Sequence, residues 1–574
     1  MPNFYLDNPD LRYHLDCTRH PEMARIIRLQ EQGFQDKDQF DYAPADEEDA
    51  LEAYERILEI VGHVAGDFVA PLAREVDNEG AKLESGEVHY ARGTKEALHR
   101  LNQAELMGFT LPRRYGGLNC PKTIYSLAIE MISRADASLM NLFGLQEIAD
   151  TIYRYGSEEQ RERILPRFSR GEVTGAMALT EPDAGSDLQA VRLKAEQDEA
   201  GQWFLNGVKR FITNGCGHIV LVLARSELQT SGGRGLSLFI YEREENMRIR
   251  RIEKKLGIHG SPTCELQFDA APAELLGKRK RGLVEYTMSL MNGARLAVAA
   301  QAVGIAEAAF QEARKYAGHR MQFRSSIRKF PAVYEMLTEM KIAVEAARTL
   351  MMETSRLVDL KESLERELEM HPEKKSQLKD EVRKYSRYAA FFTPAVKIFA
   401  TEAANKVCYD ALQVHGGTGY TRDFEVERLY RDVRITNIYE GTTQLQVLGA
   451  IGGLVTGVLF QRLDEYEQGY DFAPVQDLIA RARGLRGDLE RAVSLVREQE
   501  ESQWQQYHAG RLLDMANDTL IGYLLCIDAL DSERKAHMAG IFLVKAASRC
   551  QGALQVIESG DRSVLDYHEE IIDQ

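Results

Sequence analysis

The feature that most constrains this chain is a double change in its hydrophobic period, from helical to strand-like near Gly171 and back to helical near Leu283. Before the first change, apolar residues recur at three- and four-residue steps, as at Leu51, Tyr54 and Leu58. Between the changes lie short β-like runs separated by Gly, Asn, Ser and Asp, without helix-length segments between them. This order excludes a doubly wound parallel sheet and predicts an antiparallel sandwich or barrel between helical segments.

The same periodicity divides the chain into consecutive parts. The block that follows the first 46 residues is expected to be all-helical up to about residue 172. The predicted bounds are 1–46 for an N-terminal extension, 47–172 for a helical domain, 173–280 for a middle β domain, 281–460 for a second helical domain and 461–574 for a further helical domain.

Two segments of the helical parts have unusual compositions. The stretch 360–384 is dense in both charges, with leucines at helical spacing and a His-Pro break. It predicts a solvent-facing helical hairpin, although docking of a partner is the alternative. The apolar run 447–460 is shorter than the roughly 18–20 residues of a bilayer span, so we predict a buried, glycine-packed helix and no transmembrane segment.

Composition and charge argue against several classes of protein and of binding partner. With 44% hydrophobic and 28% charged residues, the chain is globular rather than disordered or fibrous. A formal charge of -16 gives no electrostatic attraction to nucleic acid or to an anionic membrane. The seven cysteines form no CxxC pair, and no His cluster has ligand spacing, so we expect neither disulfides nor a metal site. The N-terminus has no secretory signal, and a cytoplasmic location is expected.

The stretch "ITNIYEGTTQLQ" places a single carboxylate, Glu440, directly after Ile438 and Tyr439. One interpretation is a helix start, with Thr442 or Thr443 as the cap and the acid complementing the helix dipole. The other is a catalytic base, because a carboxylate partly desolvated by apolar neighbours has a raised pKa and takes up a proton more readily. The stretch alone leaves both interpretations open.

A second stretch, "TEPDAGSD", closes a β-like run with a proline turn followed by small residues. Small residues let backbone N–H groups and two hydroxyls, those of Thr180 and Ser186, approach a ligand closely. An ordinary strand-to-loop turn explains the proline and the glycine, but not the two hydroxyls together. The later stretch "FITNG" (211–215) is compatible with a strand that ends in an Asn-Gly hairpin turn.

These stretches carry a family resemblance. "ALTEPDAGSDLQA" (178–190) and "QVHGGTGYTRDFEVERLYRD" (413–432) resemble the two signatures of the acyl-CoA dehydrogenase family, and "RITNIYEGTTQLQ" lies where that family keeps its catalytic glutamate. The resemblance spans roughly residues 47–455. It implies a multidomain α+β fold with an N-terminal helical domain, a middle antiparallel β-barrel or sandwich and a C-terminal four-helix bundle. The appended helical bundle resembles that of the longer members.

The resemblance also implies an activity. The family removes the α-proton of an acyl-CoA thioester while a hydride leaves the β-carbon for N5 of FAD, which gives a trans-2-enoyl-CoA. Because an α-proton is too weakly acidic for water at neutral pH, the site needs a base and stabilisation of the enolate. By resemblance the base is Glu440, electrons pass to an electron-transfer flavoprotein, and the protein is a homodimer or homotetramer.

The resemblance assigns site residues one by one. The FAD contacts that it implies are Met177, Leu179, Thr180, Gly185, Ser186, Phe211, Thr213, Arg320, Phe323, Gln413, Gly416, Gly417, Thr442, Thr443 and Gln444. Substrate contacts are implied for Ser186, Asn292, Arg295 and Gly441. No metal is implied, and His415 is interpreted as a packed core residue.

The chain departs from the family pattern at several positions. Arg324 stands where relatives have Gly, and Pro331, which has neither an N–H nor an amide to offer adenine, stands where they have Gln. Asn292 replaces an Asp and Gly452 a basic residue near the CoA moiety. One branch of the family carries its base immediately before the arginine of an earlier helix, but that position is Ala294 here, so no competing base exists there.

Two other functions are compatible with this pattern. An acyl-CoA oxidase shares the half-reaction but lets O2 reach the reduced flavin, which depends on packing around Phe211. A non-catalytic acyl-CoA-binding or assembly paralogue predicts a damaged base or flavin site. The presence of Glu440, Thr180, Ser186 and Thr213 argues against the paralogue.

Overall fold

The computed structural model describes residues 2–16, 20–145 and 147–573. Two compact units are present. The first contains the described residues up to Leu337 together with Ala404–Thr436, and the second contains Thr338–Ala403 and the described residues from Asn437 onward. The five-part division stays a prediction.

Most of the described chain is helical. The α-helices are α1 (Pro9–Tyr13), α2 (Pro21–Gln30), α3 (Glu47–His63), α4 (Ala70–Glu79), α5 (Arg92–Gln103), α6 (Lys122–Ala135), α7 (Ala137–Gly144), α8 (Glu147–Tyr155), α9 (Glu158–Ser169), α10 (Met288–His319), α11 (Pro331–Met370), α12 (Lys375–His415), α13 (Glu425–Val433), α14 (Thr443–Val455), α15 (Val458–Gly469), α16 (Gln476–Glu498), α17 (Ser502–Asp528), α18 (Glu533–Glu558) and α19 (Ser563–Asp573). The strands are β1 (Lys82–Glu84), β2 (Glu87–His89), β3 (Gly175–Ala178), β4 (Lys194–Gln197), β5 (Trp203–Thr213), β6 (Ile219–Arg225), β7 (Leu236–Glu242), β8 (Met247–Ile252), β9 (Thr263–Leu276), β10 (Met321–Gln322) and β11 (Ser325–Ser326).

The N-terminal helical prediction is confirmed in α3. The side chain of Asp46 accepts a hydrogen bond from the backbone N–H of Asp49 and thereby caps the helix. Tyr54, Leu58 and Val61, which share one helical face, are buried. The local pattern therefore determined both the start of this helix and the face that packs.

The expectation that residues 47–172 are all-helical is wrong at one place. β1 and β2 form an antiparallel hairpin, with Leu83 opposite Val88. The turn residues Ser85 and Gly86 have φ angles of 51° and 84°, as a two-residue hairpin turn requires. A short Ser-Gly turn between charged residues is compatible with a loop as well, so the pairing was not evident from period alone.

The middle of the chain forms a closed β-barrel, as predicted. β6 pairs with β7, β7 with β9, β9 with β5, and β5 with β4, and a single bridge between Lys194 and Arg225 joins β4 to β6. β3 lies beside β6, and β8 beside β9. The sheet is antiparallel as predicted, except that β6 pairs in parallel with β3 and, through the single bridge, with β4.

β6 is buried on both faces. Val220 and Val222 pack in one cluster with residues of the barrel strands. Ile219 and Leu221, on the opposite face, pack with Ile164 of α9 and its neighbours. The continuous apolar run of β6 follows from this two-sided burial, which also fixes β3 and the loop after it against the helical layer.

One helix of the described chain, Gly282–His319, is long and apolar enough to span a bilayer by composition. In the fold, 78% of its most apolar window is buried within the protein. Its main part, α10, packs along α6 of the same unit. This burial explains the apolar composition of the helix, which is typical of a helix in a protein core.

The second unit contains a bundle in which α16, α17 and α18 pack pairwise. In α16 the apolar residues Ala482, Leu485, Leu489, Ala492 and Val496 recur at helical spacing and are all buried, while Leu478 is half-buried. The helical hairpin predicted at 360–384 is also present: α11 ends at Met370, a short turn follows, and α12 begins at Lys375. The four-helix arrangement of the C-terminal region stays a prediction.

The prediction of one buried helix at 447–460 is wrong. The segment is divided between α14 and α15, which are bent by 62° relative to each other. Gly457, with a φ of 81°, lies at the break, a conformation in which glycine ends helices. Leu448 is 56% exposed whereas Ala450, Leu454 and Leu459 are buried, so the segment is only partly buried.

Candidate active site

The predicted flavin loop follows β3 in the first unit and is fixed through the carboxylate of Glu181. This carboxylate accepts hydrogen bonds from the backbone N–H groups of Arg192, at 2.8 Å, and Leu193, at 2.9 Å. The N–H and carbonyl groups of Glu181 and Ala184 also bond reciprocally, which closes the turn. The first acidic residue of the motif, Glu181, therefore holds the loop.

A buried lysine supports the same loop from β5. Nζ of Lys209 lies 2.8 Å from the carbonyl oxygen of Leu179 and 3.0 Å from Oε1 of Glu181, and its side chain is fully buried. Burial lowers the pKa of the Lys209 ammonium to about 8, although the Glu181 carboxylate acts in the opposite direction. The backbone N–H of Arg210 donates to the carbonyl of Thr180. β5 and the loop are thus joined at the residues assigned to the flavin.

The assigned residues of the loop differ in exposure. Leu179 is buried, Met177 and Thr180 are half-buried, and Gly185 and Ser186 are exposed. A methyl group built on Gly185 would meet no atom closer than Cγ2 of Thr180, at 4.0 Å. The loop therefore presents an open backbone and a hydroxyl to a ligand, while the residues before it anchor the loop.

On β5, Phe211 is half exposed and has a φ of 61°, which is unusual for an aromatic residue. Its ring lies under the guanidinium of Arg210, at 4.5 Å. Thr213, the last residue of the strand, is half-buried. The strand thus ends with an aromatic face and a hydroxyl in neighbouring positions.

The expected Asn-Gly hairpin after β5 is wrong. Asn214 has a φ of 51° and does begin a turn, but β5 pairs with β4 and β9 and not with β6. The Asn214 amide instead donates to the carbonyl of Gly175, at 2.8 Å, and to the hydroxyl of Thr174, at 3.2 Å. The turn therefore ties the end of β5 to the start of β3.

Arg320 and Phe323 lie at a small hairpin formed by β10 and β11. Phe323 and Arg324 are its two turn residues, with φ angles of 49° and 62°. This conformation explains why glycine suits the position of Arg324. Arg320 is exposed and Phe323 is 91% exposed, so both side chains point away from their own unit.

Gln413, Gly416 and Gly417 lie at the C-terminal end of α12. All three are exposed, and methyl groups built on the two glycines would meet no atom within 4 Å. His415 is buried and stacks on Tyr316 with ring centroids 4.3 Å apart, as expected of a packed core residue. The three exposed residues form an open surface, and the histidine fixes it to α10.

A cavity of about 410 Å³ lies beside Gln413. Three of its seven lining residues are aromatic, and the full lining consists of Tyr409, Leu412, Gln413, Tyr420, Glu427, Tyr430 and Arg431. Aromatic walls with a few polar groups can accommodate a planar ligand group.

The residues assigned to CoA on α10 lie in its first turns. A guanidinium nitrogen of Arg295 lies 2.9 Å from Oδ1 of Asn292. Asn292 is exposed, and Ala294 between them carries no carboxylate. The structure therefore brings these two assigned residues together.

The carboxylate of the second unit, Glu440, is half-buried in a loop before α14. The helix-start interpretation is correct in that α14 begins at Thr443 with Thr442 as its cap residue, but Glu440 precedes the cap, and the first turn contains no acidic residue. Glu440 has a φ of 54°, a left-handed conformation that costs about 1–3 kcal/mol in a residue other than glycine. Such strain persists only where the surrounding structure holds it.

Gly441 continues this conformation with a φ of 90°. A methyl group built there would lie 2.5 Å from Nε2 of Gln446, so a side chain would force the Gln446 amide to move. Gln446 donates to the carbonyl oxygens of Glu440 and Gly441, at 3.1 and 3.0 Å. Nζ of Lys397 donates to the same Gly441 carbonyl at 2.7 Å. The loop is therefore held on the two peptides that follow the carboxylate.

The other residues assigned to FAD in this unit lie at the start of α14. Thr442 and Thr443 are half-buried, and Gln444 is exposed. The Thr443 hydroxyl donates to Oε1 of Glu402 at 2.6 Å, so this side chain is engaged within its own unit.

Comparison with known proteins shows to which family the chain belongs. Family models for the acyl-CoA dehydrogenase N-terminal, middle and C-terminal domains match residues 52–172, 176–271 and 296–444, and the model "Acyl-CoA dehydrogenase C terminal" matches 455–563. The 3-methylmercaptopropionyl-CoA dehydrogenase of Ruegeria pomeroyi is 34% identical over 442 residues, which cover 70% of this chain and 72% of that protein. The chain belongs to the acyl-CoA dehydrogenase family.

Solved structures agree with this membership. Butyryl-CoA dehydrogenase from Megasphaera elsdenii has a TM-score of 0.61 at 30% identity, covering 70% of this chain and 98% of that one. A chain from the structure titled "Electron transferring flavoprotein of Acidaminococcus fermentans" has a TM-score of 0.60 at 33% identity, with 70% and 97% covered. An acyl-CoA dehydrogenase from Bacillus anthracis, complexed with FAD, shares the fold over 88% of both chains, with a TM-score of 0.75 at 23% identity.

Acyl-CoA dehydrogenases are FAD-dependent, and features of the first unit fit such a group. The backbone around Gly185 is open, the ring of Phe211 is half exposed, and the guanidinium of Arg320 is exposed. An open backbone and a cation suit a pyrophosphate, and an aromatic ring suits a flavin or an adenine. Among the described residues, no group of three His, Cys, Asp or Glu could hold a metal ion.

Sequence reasoning missed the buried side chains that hold the assigned loops within each unit. Lys397 gave a signal, since it is the one charged residue in the apolar stretch "FFTPAVKIFAT". Lys209 and Gln446 gave none, because their neighbours are ordinary for a strand and a helix. The six cysteines of the described ranges are free and buried, as expected.

Proposed function

We propose that this chain is an acyl-CoA dehydrogenase that converts an acyl-CoA thioester to the trans-2-enoyl-CoA, with Glu440 as the base. The observation that carries the proposal is the strained conformation of Glu440, which has a φ of 54° and is held by two buried side chains. Strain retained at a half-buried carboxylate is typical of a catalytic position. A solvated acid at a helix start has no need of it.

The chemistry requires one proton transfer and one hydride transfer. Glu440 takes the α-proton, and the electron pair left behind forms the Cα–Cβ double bond as the hydride departs from Cβ. Bound FAD supplies the hydride acceptor. The negative charge that develops on the thioester oxygen needs a hydrogen-bond donor, and we assign this role to the backbone N–H of Glu440.

We propose that FAD is held by the residues that the family resemblance assigns. The loop residues Gly185 and Ser186 offer an open backbone and a hydroxyl, and Arg320 offers a charge. The further proposed FAD contacts are Met177, Leu179, Thr180, Phe211, Thr213, Phe323, Gln413, Gly416, Gly417, Thr442, Thr443 and Gln444.

We propose that CoA is bound by Ser186, Asn292 and Arg295 and that Gly441 lets the thioester approach closely. The hydrogen bond between Arg295 and Asn292 keeps a guanidinium on the first turns of α10. A guanidinium suits a phosphate or carbonyl of CoA. Asn292 is uncharged and therefore forms a neutral acceptor for this guanidinium rather than an ion pair.

The proposed electron acceptor is an electron-transfer flavoprotein, supported by the Acidaminococcus fermentans structure of that title. The proposed assembly is a homodimer or homotetramer, supported by the 91% exposure of Phe323 on its hairpin. A cytoplasmic location and the lack of a nucleic-acid partner agree with the net charge of -16.

An anaerobic titration with a panel of acyl-CoA thioesters tests the proposal. One thioester is expected to bleach the oxidised flavin absorbance of the wild type but not that of Glu440→Gln. Glu500→Gln, at an exposed residue of the same unit, is the matched control and is expected to behave as the wild type. A flavin that no thioester bleaches, or bleaching that survives in Glu440→Gln, would overturn the assignment. Slow reoxidation in air is expected of a dehydrogenase rather than an oxidase.

A further inference from the structure

We propose that Lys397 is a positioning residue for the reaction, acting on the Glu440–Gly441 segment through the Gly441 carbonyl. This inference rests on the proposed role of Glu440. Lys397 contacts the backbone of the loop that carries Glu440, and we assign it no contact with the substrate.

The first observation is the burial of the ammonium group. Lys397 is 1% exposed and lies on α12 among apolar residues such as Val396 and Ile398. A buried ammonium costs free energy unless its hydrogen bonds are satisfied. Its Nζ donates to the Gly441 carbonyl at 2.7 Å, a charge-assisted bond of short length.

The second observation is the conformation that this bond holds. Glu440 and Gly441 have consecutive positive φ angles of 54° and 90°. An ordinary L-residue leaves the left-handed region unless contacts hold it there. The Gly441 carbonyl also receives a bond from Gln446, which is 1% exposed. Two buried donors therefore converge on one oxygen, next to the residue that carries the base.

A second residue of α12, Glu402, also contacts the loop that carries Glu440. Glu402 of α12 accepts hydrogen bonds from the amide of Asn437, at 3.1 Å, and from the hydroxyl of Thr443, at 2.6 Å. The backbone N–H of Thr443 also donates to the carbonyl of Asn437. α12 thus holds the two ends of the loop through Glu402 and its middle through Lys397.

We therefore assign proton abstraction to Glu440 and the positioning of its peptide to Lys397. Removal of the Lys397 ammonium leaves the carboxylate of Glu440 in the sequence but frees the peptide beside it to rotate. A displacement of about 1 Å in a reacting group lowers a rate by as much as 100-fold. The rate of proton abstraction is therefore sensitive to Lys397, whereas binding of substrate and FAD, which Lys397 does not contact in this scheme, is not.

The test is single-turnover reduction of the flavin under anaerobic conditions in Lys397→Met, with the holoenzyme and the thioester that bleaches the wild type. Methionine matches the length of the lysine stem without its charge. The expected result is a 10- to 100-fold lower limiting rate, with the flavin content and the half-saturating thioester concentration within threefold of the wild type. Lys406→Met, on the same helix but with a 66% exposed side chain, is the control and is expected to keep the wild-type rate.

Two further variants keep the outcomes distinct. If Lys397→Met does not retain flavin, Gln446→Met, which removes the other donor to the same carbonyl, is judged by the same criteria. If the flavin-retaining variant, Lys397→Met or Gln446→Met, has a limiting rate within threefold of the wild type while Glu440→Gln is inactive, the positioning role is overturned and the base assignment remains. A normal rate in Glu440→Gln overturns the base assignment and the inference with it.

Discussion

The guanidinium of Arg431 forms two hydrogen bonds with the carboxylate of Asp77, at 2.6 and 3.1 Å, and so joins α13 to α4 across 354 positions of the sequence. Both side chains are more than four-fifths buried. Burial alone raises the pKa of Asp77, but bonds from His259 and Arg431 outweigh it and hold the pKa well below its usual range. The pair therefore remains ionised within the first unit.

Asp77→Asn is expected to destabilise the protein by about 1–3 kcal/mol, because Arg431 and His259 lose the carboxylate that they share. Arg431 keeps its ion pair with Glu427, which limits the loss. Urea denaturation followed by circular dichroism measures this loss. Asp269→Asn is the control, since Asp269 pairs with Arg248 at 2.8 Å but both side chains are more than half exposed. Its expected cost is below about 1 kcal/mol, and equal losses in the two variants would contradict the prediction.

His259 makes the stability of the same cluster depend on pH. The hydrogen bond to Asp77 raises the pKa of His259 above 6.5, and burial opposes this shift only in part. A histidine with a raised folded-state pKa contributes stability that is present below about pH 6.5 and is lost as the pH rises through the folded-state pKa. The Tm of the wild type is thus expected to fall more between pH 6 and pH 8 than the Tm of His259→Gln. An identical fall in both proteins would exclude this contribution.

Lys209→Met is expected to weaken FAD binding at least tenfold. The substitution removes the donor to the Leu179 carbonyl and leaves the Glu181 carboxylate without its cation beneath the flavin loop. The ratio of bound FAD to protein after dialysis measures the effect. Lys194→Met, at an exposed position of the same barrel, is expected to retain FAD like the wild type. Full retention of FAD in Lys209→Met would show that the ion pair does not support the site.

Gly441→Ala is expected to slow flavin reduction about 10- to 100-fold. A methyl group there would lie 2.5 Å from Nε2 of Gln446, and the φ of 90° is unfavourable for alanine. Stopped-flow absorbance measures the rate. In Gly484→Ala, where the added methyl group meets no atom within 4 Å, the rate is expected to be unchanged and the helix to be stabilised by about 0.5–1 kcal/mol. Wild-type reduction in Gly441→Ala would argue against a strict need for glycine.

The sequence predicted much of the fold because helix and strand periods are local. The buried face of α3 and the repeat in α16 follow from the spacing of apolar residues alone. The hairpin of β1 and β2 was missed because its Ser-Gly turn is also typical of a loop. The parallel pairing of β3 with β6 was missed because the hydrophobic period of a strand does not indicate which strand it pairs with. The break at Gly457 depends on one backbone angle that an apolar run does not reveal.

For the site, the sequence by itself indicated the family and predicted the groups that carry the chemistry, namely Thr180, Ser186, the carboxylate of Glu440 and the glycine after it. Tertiary structure alone decided what holds them. Lys397 reaches the Gly441 carbonyl across 44 positions, and Lys209 reaches Glu181 across 28. A motif is visible in the sequence because its residues, such as Glu440 and Gly441, are close together in the chain. The buried donors that fix its backbone come from distant segments, and only folding brings those segments together.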